Sequence, residues 1–356
     1  MTIRDLRLRQ FRSWARLDLD CDTHPVALHG PNGAGKTNIL EAVSMLAPGR
    51  GMRGAAPSDQ ARRGADLGWQ VSARIAGHAV VTRARPGQLR EVTLDDAPVP
   101  QVALGRLMRV IWLTPAMDRL WLDAPESRRR FLDRMTLSLI PDHAETALAY
   151  DRALRERNRL LRDGVRDPGW YRAIEDQMAR TGATLARNRR DAIDRLMAAQ
   201  DRASPAFPAA RLWVMPGEAA ADDPDPEAIA RRLSEGRARD MAAGRTLTGP
   251  HRADLGAAWG PQDMPAALSS TGEQKALLLS LILANARALA AESPVLLLDE
   301  VAAHLDADRR EALYELILDL GIAAFLTGTE PGLFAPLGDR GRILRVTREG
   351  ELSRIA

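Results

Sequence analysis

The chain has 356 residues, 27% of them charged, with a formal net charge of +3 and one cysteine, Cys21. A chain of this length supports a large core and more than one lobe, and the composition is not that of a disordered protein. The lone cysteine excludes an internal disulfide, and the charged start "MTIRDLRLRQ" lacks the apolar stretch of a signal peptide, so a reducing, cytosolic setting is the simplest expectation.

Short alternating segments, "RDLRLRQF" and "ARLDLD", lead to the apolar "VALH", which runs straight into "GPNGAGKT". That is a strand feeding a glycine-rich loop. The following "TNILEAVSML" has helical spacing at Ile39, Leu40, Val43 and Leu46, and Pro48 and Gly49 stop it. Segments 69–76, 78–84 and 91–95 alternate as an antiparallel meander, and "RVIWL" at 109–113 is a further strand. From Glu126 the pattern changes to Arg-rich helices. One apolar stripe runs through Tyr150, Leu154 and Leu161. A second, after the turn "DGVRDPG", runs through Ile174, Met178, Leu185, Ile193 and Leu196. At 1.5 Å per residue these helices reach about 25–45 Å, a stubby arm rather than a long coiled coil. The Pro- and Asp-rich "PGEAAADDPDPEA" marks the expected return to the first lobe, which finishes with a helix, the strand "PVLLLDE", another helix and the strand "AAFLTG". The run "ALLLSLILANARALA" is interrupted by Ser280, Asn285 and Arg287 and is expected to be a buried helix, since a membrane span needs about 20 apolar residues. The expected organisation is the N-terminal part of a first lobe at 1–115, a helical arm at 116–215 and the rest of that lobe at 216–356.

Three motifs carry chemistry. Gly30, Gly35, Lys36 and Thr37 satisfy G-x-x-x-x-G-K-[ST], with Pro31, Asn32, Gly33 and Ala34 inside the loop and Asn38 just after it. Backbone N–H groups there wrap phosphate oxygens, the lysine reaches the β/γ-phosphates and the hydroxyl binds Mg²⁺. "PVLLLDE" ends an apolar strand in two carboxylates: Asp299 to hold Mg²⁺, Glu300 to orient or deprotonate the attacking water. "SSTGEQKALLLSLIL" sets Ser270 and Gly272 before a long apolar helix, either a second anion-binding surface or a capping box of Ser270 with Glu273. His304 and Asp306 follow the carboxylates, and Asp306 equally suits the N-cap of the next helix. Only two lysines occur, Lys36 and Lys275, both within motifs. Residues 1–200 carry a net +9 and the remainder a net −6, so a basic half is available to a polyanion such as nucleic acid. The runs Arg128, Arg129, Arg130 and Arg152, Arg155, Arg157, Arg159 are candidate DNA contacts, solvated faces or ion-pair rows alike.

Together the phosphate loop, the S-x-G-E-Q signature, the D-E strand end and the H-L-D that follows resemble the ABC-type, SMC-like ATPases that act on DNA. "RLRQFRSW", "GRGMRG", "LTPAMDRL", "RRRFLD", "YDRALRERNRLL" and "TGPHRADL" run in family order along nearly the whole chain, and "ERNRLL" and "TGPHRADL" at these places narrow the resemblance to the RecF family of bacterial recombination mediators. The resemblance implies an α/β ABC-type P-loop ATPase head, a mixed sheet plus an antiparallel meander, with a short inserted helical arm. It implies ATP and Mg²⁺ sandwiched in a head-to-head dimer between Lys36, Thr37, Asp299 and Glu300 of one subunit and Ser270 and Gly272 of the other, with Arg12 and Ser13 close to the nucleotide. It further implies binding to gapped DNA at single-strand to double-strand junctions, with RecO and RecR as partners in loading RecA. The sequence departs from the family pattern where Ala116 or a displaced Asp118 stands for the usual acid or glutamine, and where Thr327 or Thr329 stands for a switch histidine. A transporter ATPase shares the motifs, yet 234 residues separate Lys36 from Ser270 here and enclose a meander and an arm. A structural SMC organiser needs far longer coiled coils, and a P-loop kinase needs no signature helix.

Overall fold

The computed structural model describes residues 3–22, 24–200, 206–215, 225–259 and 263–356. The chain forms two units. The first comprises Met1–Asp118, Arg202–Pro208 and Leu278–Ala356, and the second Arg119–Asp201 and Ala209–Leu277.

The first unit opens with β1 (Ile3–Phe11), β2 (Trp14–Leu19), β3 (Val26–His29) and the helix α1 (Lys36–Ser44). The short α2 (Pro57–Gln60), strands β4 (Trp69–Ile75), β5 (His78–Ala84), β6 (Glu91–Leu94) and β7 (Ala97–Pro98), the short α3 (Leu104–Leu107) and β8 (Val110–Leu113) follow. In β1 the buried positions are Ile3, Leu6, Leu8 and Phe11, not a strict alternation. A register shift between Arg4 and Arg7, with Asp5 at φ 52°, restores the apolar face to the core.

The second unit contains α4 (Pro125–Leu139), α5 (His143–Arg162), α6 (Pro168–Ala198), β9 (Ala210–Met215), α7 (Pro226–Glu235), α8 (Arg237–Ala243), β10 (Asp254–Trp259) and β11 (Met264–Pro265). α5 and α6 form an antiparallel hairpin whose core holds Tyr150, Leu161, Ile174, Met178 and Leu185 of the two stripes, with Leu154 partly buried against it. Here the structure corrects the expected boundary. Residues 209–277 belong to this unit, so the lobe at 216–356 starts too early. The physical reason lies in α7 and α8: Leu233 of α7 joins the arm's core, and buried Asp240 of α8 accepts from Arg157 of α5 at 2.7 Å. The stretch 216–224 of "PGEAAADDPDPEA" lies outside the described residues.

α9 (Thr271–Ala288) begins in the second unit and ends in the first, followed by β12 (Val295–Leu298), α10 (Ala307–Leu320), β13 (Ala323–Gly328), β14 (Arg342–Glu349) and β15 (Leu352–Ile355). Leu277, Leu278, Leu279, Leu281, Ile282 and Leu283 are all buried, as an all-round apolar helix requires. No helix among the described residues is long and apolar enough to cross a membrane.

Two six-stranded sheets organise the first unit. One is antiparallel, β2-β1-β4-β5-β6-β7; the other runs β15-β14-β3-β13-β12-β8, parallel from β14 to β8 with β15 antiparallel at its edge. Every residue of β8, β12 and β13 is buried, which is why these strands read as continuous apolar runs. Because β3, β12 and β13 are neighbours in this parallel sheet, the loops at their C-terminal ends, carrying Gly30, Asp299 and Thr329, open on one edge. The hairpin β14–β15 lies beyond "AAFLTG", the last strand evident in the sequence pattern.

Candidate nucleotide-binding site

The turn from β3 to α1 winds through three glycines with positive φ: Gly30 at 145°, Gly33 at 78° and Gly35 at 106°. Two of them are fixed by close approach as well as by φ. A Cβ on Gly30 would lie 2.1 Å from the Val346 carbonyl oxygen of β14, and one on Gly35 would lie 2.2 Å from Ser353 Oγ of β15 and 2.7 Å from Ser13 Oγ. The C-terminal hairpin therefore braces the loop. Ser353 Oγ donates to the Ala34 carbonyl, and an Arg348 guanidinium N–H donates to the Gly33 carbonyl at 3.3 Å. Asn38 Nδ2 donates to Ser13 Oγ at 2.8 Å, and Trp14 Nε1 donates to the Gly35 carbonyl at 3.1 Å. Arg12 grips buried Glu41 of α1 with two N–H groups at 2.6 and 2.9 Å, and Arg53 of "GRGMRG" reaches the same carboxylate at 3.3 Å. Arg12 and Ser13 thus adjoin the loop, Ser13 in contact with it and Arg12 through the loop helix.

Lys36 is buried, and its ammonium donates to the loop's own carbonyls, Gly30 at 2.6 Å and Pro31 at 2.9 Å. Burial lowers its pKa, opposed by the nearby carboxylates of Glu300 and Asp299. Thr37 Oγ1 donates to Asp299 Oδ1 at 2.8 Å, and Thr327 Oγ1 donates to the same oxygen at 2.8 Å. Thr327 also accepts from the Glu300 backbone N–H at 2.9 Å. Glu300 sits in the left-handed region at φ 56°, a conformation that costs a non-glycine residue about 1–3 kcal/mol, and the Thr327 hydroxyl is what holds it. One hydroxyl from β13 thereby fixes both carboxylates. The sequence offers Thr327 only as the substitute for a switch histidine; its bond to Asp299 has no sequence signature. Thr329 and Ala116 are exposed.

Asp306 takes the capping role, its carboxylate accepting from the Arg309 N–H at 2.8 Å, whereas the His304 side chain lies outside the described residues. Ser270 and Gly272 stand at the start of α9, in the second unit. Ser270 is exposed and forms the capping box: its Oγ accepts from the Glu273 N–H at 3.3 Å while Glu273 accepts from the Ser270 N–H at 2.7 Å. A Cβ on Gly272 would meet nothing within 4 Å.

The arginine candidates separate. Arg128 is spent on Asp254, by two bonds at 2.6 and 2.8 Å, and Arg129 donates to the Ala253 carbonyl at 2.8 Å. Arg157 is wholly buried against Glu175, Asp240 and Thr246, so it contacts no DNA. Arg130, Arg152, Arg155 and Arg159 are on the surface. His251, unexplained from sequence, packs beside Tyr150. Its Nε2 lies 3.1 Å from the Thr246 carbonyl, which can only accept, so that nitrogen carries the proton and Nδ1 accepts from the Tyr150 hydroxyl at 2.7 Å.

The loop, Lys36 and the Thr37–Asp299 pair suit a triphosphate with a magnesium ion. The donor set is all oxygen, which that ion prefers. Among the described residues no cluster of three acidic, histidine or cysteine side chains gathers here; Thr37 and Asp299 are the residues that would hold the ion.

Residues 2–327 match the RecF/RecN/SMC N-terminal domain family. A protein of Mesorhizobium japonicum named DNA replication and repair protein RecF is 44% identical over 97% of this chain and 96% of its own. The chain belongs to the RecF family. Relatives of the same name from Rhizobium meliloti, 45% identical over 96% of each chain, and Brucella suis, 44% identical over 100% of this chain and 97% of its own, agree. Among solved structures, the recombination mediator RecF with ATP in the RecFOR pathway superposes with a TM-score of 0.83 at 20% identity, over 100% of this chain and 99% of that one. An Smc head domain from Pyrococcus furiosus reaches 0.57 at 15% identity, over 99% and 95%. The fold is thus the ABC-type head of RecF and SMC proteins, as the motifs imply.

Proposed function

We propose that this chain is an ATP-dependent, DNA-binding recombination mediator of the cytoplasm. Membership of the RecF family, at 44% identity over nearly the whole chain, carries that reading. The site supports its ATPase part. In the proposed mechanism Lys36 and the loop N–H groups of residues 30–37 hold the β/γ-phosphates, and Thr37 and Asp299 hold Mg²⁺. When bound, that ion neutralises phosphate charge. Glu300 orients and deprotonates the attacking water. Ser270 and Gly272 present a helix N-terminus to the nucleotide on a second copy, so that two copies close on ATP and reopen after hydrolysis. Hydrolysis is slow and stimulated by DNA, and it sets the population of the closed state rather than driving transport.

DNA at gaps and single-strand to double-strand junctions is the proposed substrate of the closed dimer, and RecO and RecR are the proposed partners in promoting RecA loading. Retention of labelled gapped duplex, measured with and without ATP, tests the reading. ATP-dependent retention supports it. ATP binding and dimerisation that ignore DNA would refute it in favour of an ABC-type ATPase subunit serving a non-DNA partner such as a transporter.

A further inference from the structure

The turn end of the α5–α6 hairpin combines features that nothing in the ATPase site uses. Trp170, in the first turn of α6, is 64% exposed, although its neighbour Tyr171 is buried. The exposed side chains of Arg159 and Arg162 in the last turn of α5, Arg166 in the connecting turn and Arg172 beyond it surround this end. None of these four side chains makes a hydrogen bond or an ion pair among the described residues. Some exposed arginines of the same unit find partners, as Arg195 does with Asp191 and Arg211 with Asp263, while others such as Arg180 and Arg239 do not; what sets this end apart is the exposed Trp170 among them. From Arg155 to Arg172 five exposed arginines face three exposed carboxylates, of which Asp167 is already committed to capping the Gly169 N–H at 2.8 Å.

The turn that presents these groups is firmly built. Gly164 takes the left-handed conformation at φ 66°, and the Val165 N–H returns to the Leu160 carbonyl at 3.1 Å. The Tyr171 hydroxyl donates to the Val165 carbonyl at 3.0 Å, and the Arg237 guanidinium covers its ring at 5.2 Å. Tyr171 anchors the tip while Trp170, one position earlier, is held outwards at small entropic cost.

We propose that this tip binds single-stranded DNA, with Trp170 stacking on an unpaired base and the unpaired arginines following the flanking phosphates. An exposed aromatic face amid guanidinium groups is the chemistry that single-strand binding uses, and stacking tolerates any base. Bases within a duplex are already stacked on one another and offer no face, so Trp170 distinguishes the single-stranded side of a junction from its duplex side. The inference rests on the DNA reading above and adds to it the arm surface that reads the unpaired strand.

Fluorescence anisotropy of a labelled oligo-dT 20-mer and of a blunt duplex, with the full chain and ATP, tests it. Trp170→Ala is expected to weaken oligo-dT binding about tenfold and leave the duplex unchanged, while Trp170→Phe retains most of the affinity. Replacing Arg162 and Arg166 together by Gln should lower the salt slope for oligo-dT by about 1.4, at about 0.7 for each phosphate no longer neutralised. Unchanged oligo-dT affinity in Trp170→Ala, with DNA binding otherwise intact, overturns the tip assignment and leaves the DNA reading standing. A wild-type chain that binds neither probe overturns both. If Trp170→Ala loses a labelled poly-aspartate peptide but not oligo-dT, the tip is a dock for an acidic protein and the inference is wrong.

Discussion

Replacing Thr327 by valine nearly keeps the volume of the side chain and puts a methyl group in place of its hydroxyl. Thr327 is 1% exposed, so water cannot substitute for it. Two bonds vanish: the one donated to Asp299 Oδ1 at 2.8 Å and the one accepted from the Glu300 N–H at 2.9 Å. A hydrogen bond to a charged group contributes about 1.5–3 kcal/mol, and an orphaned donor costs about 1–3 kcal/mol. Asp299 keeps its bond from Thr37, so the larger consequence falls on Glu300, whose left-handed backbone loses its tether. If about 1.4–2.8 kcal/mol of that tether is spent on keeping the Glu300 carboxylate aligned, kcat should fall about 10–100-fold, because 1.36 kcal/mol is a factor of ten. ATP affinity should change less than about threefold, since the loop and Lys36 are untouched. Steady-state hydrolysis and nucleotide binding measured on Thr327→Val and Thr327→Ser check this, serine retaining the hydroxyl and most of the rate. Wild-type hydrolysis in Thr327→Val would mean that the hydroxyl does not position the base.

Other outcomes follow from the same geometry. Lys36→Ala should lose ATP affinity and ATP-dependent dimerisation, and Ser270→Arg should bind ATP yet fail to close. Mixing the two variants should restore hydrolysis at one composite site per mixed dimer; no recovery would place Ser270 in cis. Arg157→Met leaves Asp240 buried with no cation and should destabilise the second unit by about 3–5 kcal/mol in urea melts, an unchanged midpoint contradicting the network. Burial lowers the His251 pKa from 6.5 to about 4. Between those values the unfolded chain binds the proton and the folded one does not, so stability falls as pH drops from about 6.5 to about 4, by at most about 3 kcal/mol. Comparing urea midpoints at pH 7 and pH 5 for wild type and His251→Gln isolates this contribution, and equal drops would refute it.

How far the sequence disclosed this arrangement depended on where each signal resides. The phosphate loop, the D-E strand end and the parallel strands were legible because burial on both faces leaves uninterrupted apolar runs such as "VLLL" and "AAFLTG". The hairpin β14–β15 was not, because "RILRVTRE" buries only Val346 fully and its arginines mask the strand pattern. With it went Ser353 and the Val346 carbonyl, which brace the loop through contacts of long sequence separation. Arg157 looked like one member of a basic run. Its spacing of seven from Tyr150 and three from Leu154 placed it on the apolar stripe, and that periodicity was the available sign that it points inward. The return to the first unit at Leu278 was hidden because α7 and α8 carry ordinary amphipathic patterns that fit either unit.

The central claim is that ATP closes two copies of this chain around DNA, and sedimentation of Glu300→Gln with labelled gapped duplex tests it most directly. With ATP and Mg²⁺ the variant should bind nucleotide, stall before hydrolysis and carry the DNA as a dimer, whereas without ATP the DNA should sediment alone. ATP-dependent dimers that leave the gapped duplex unbound would contradict the account.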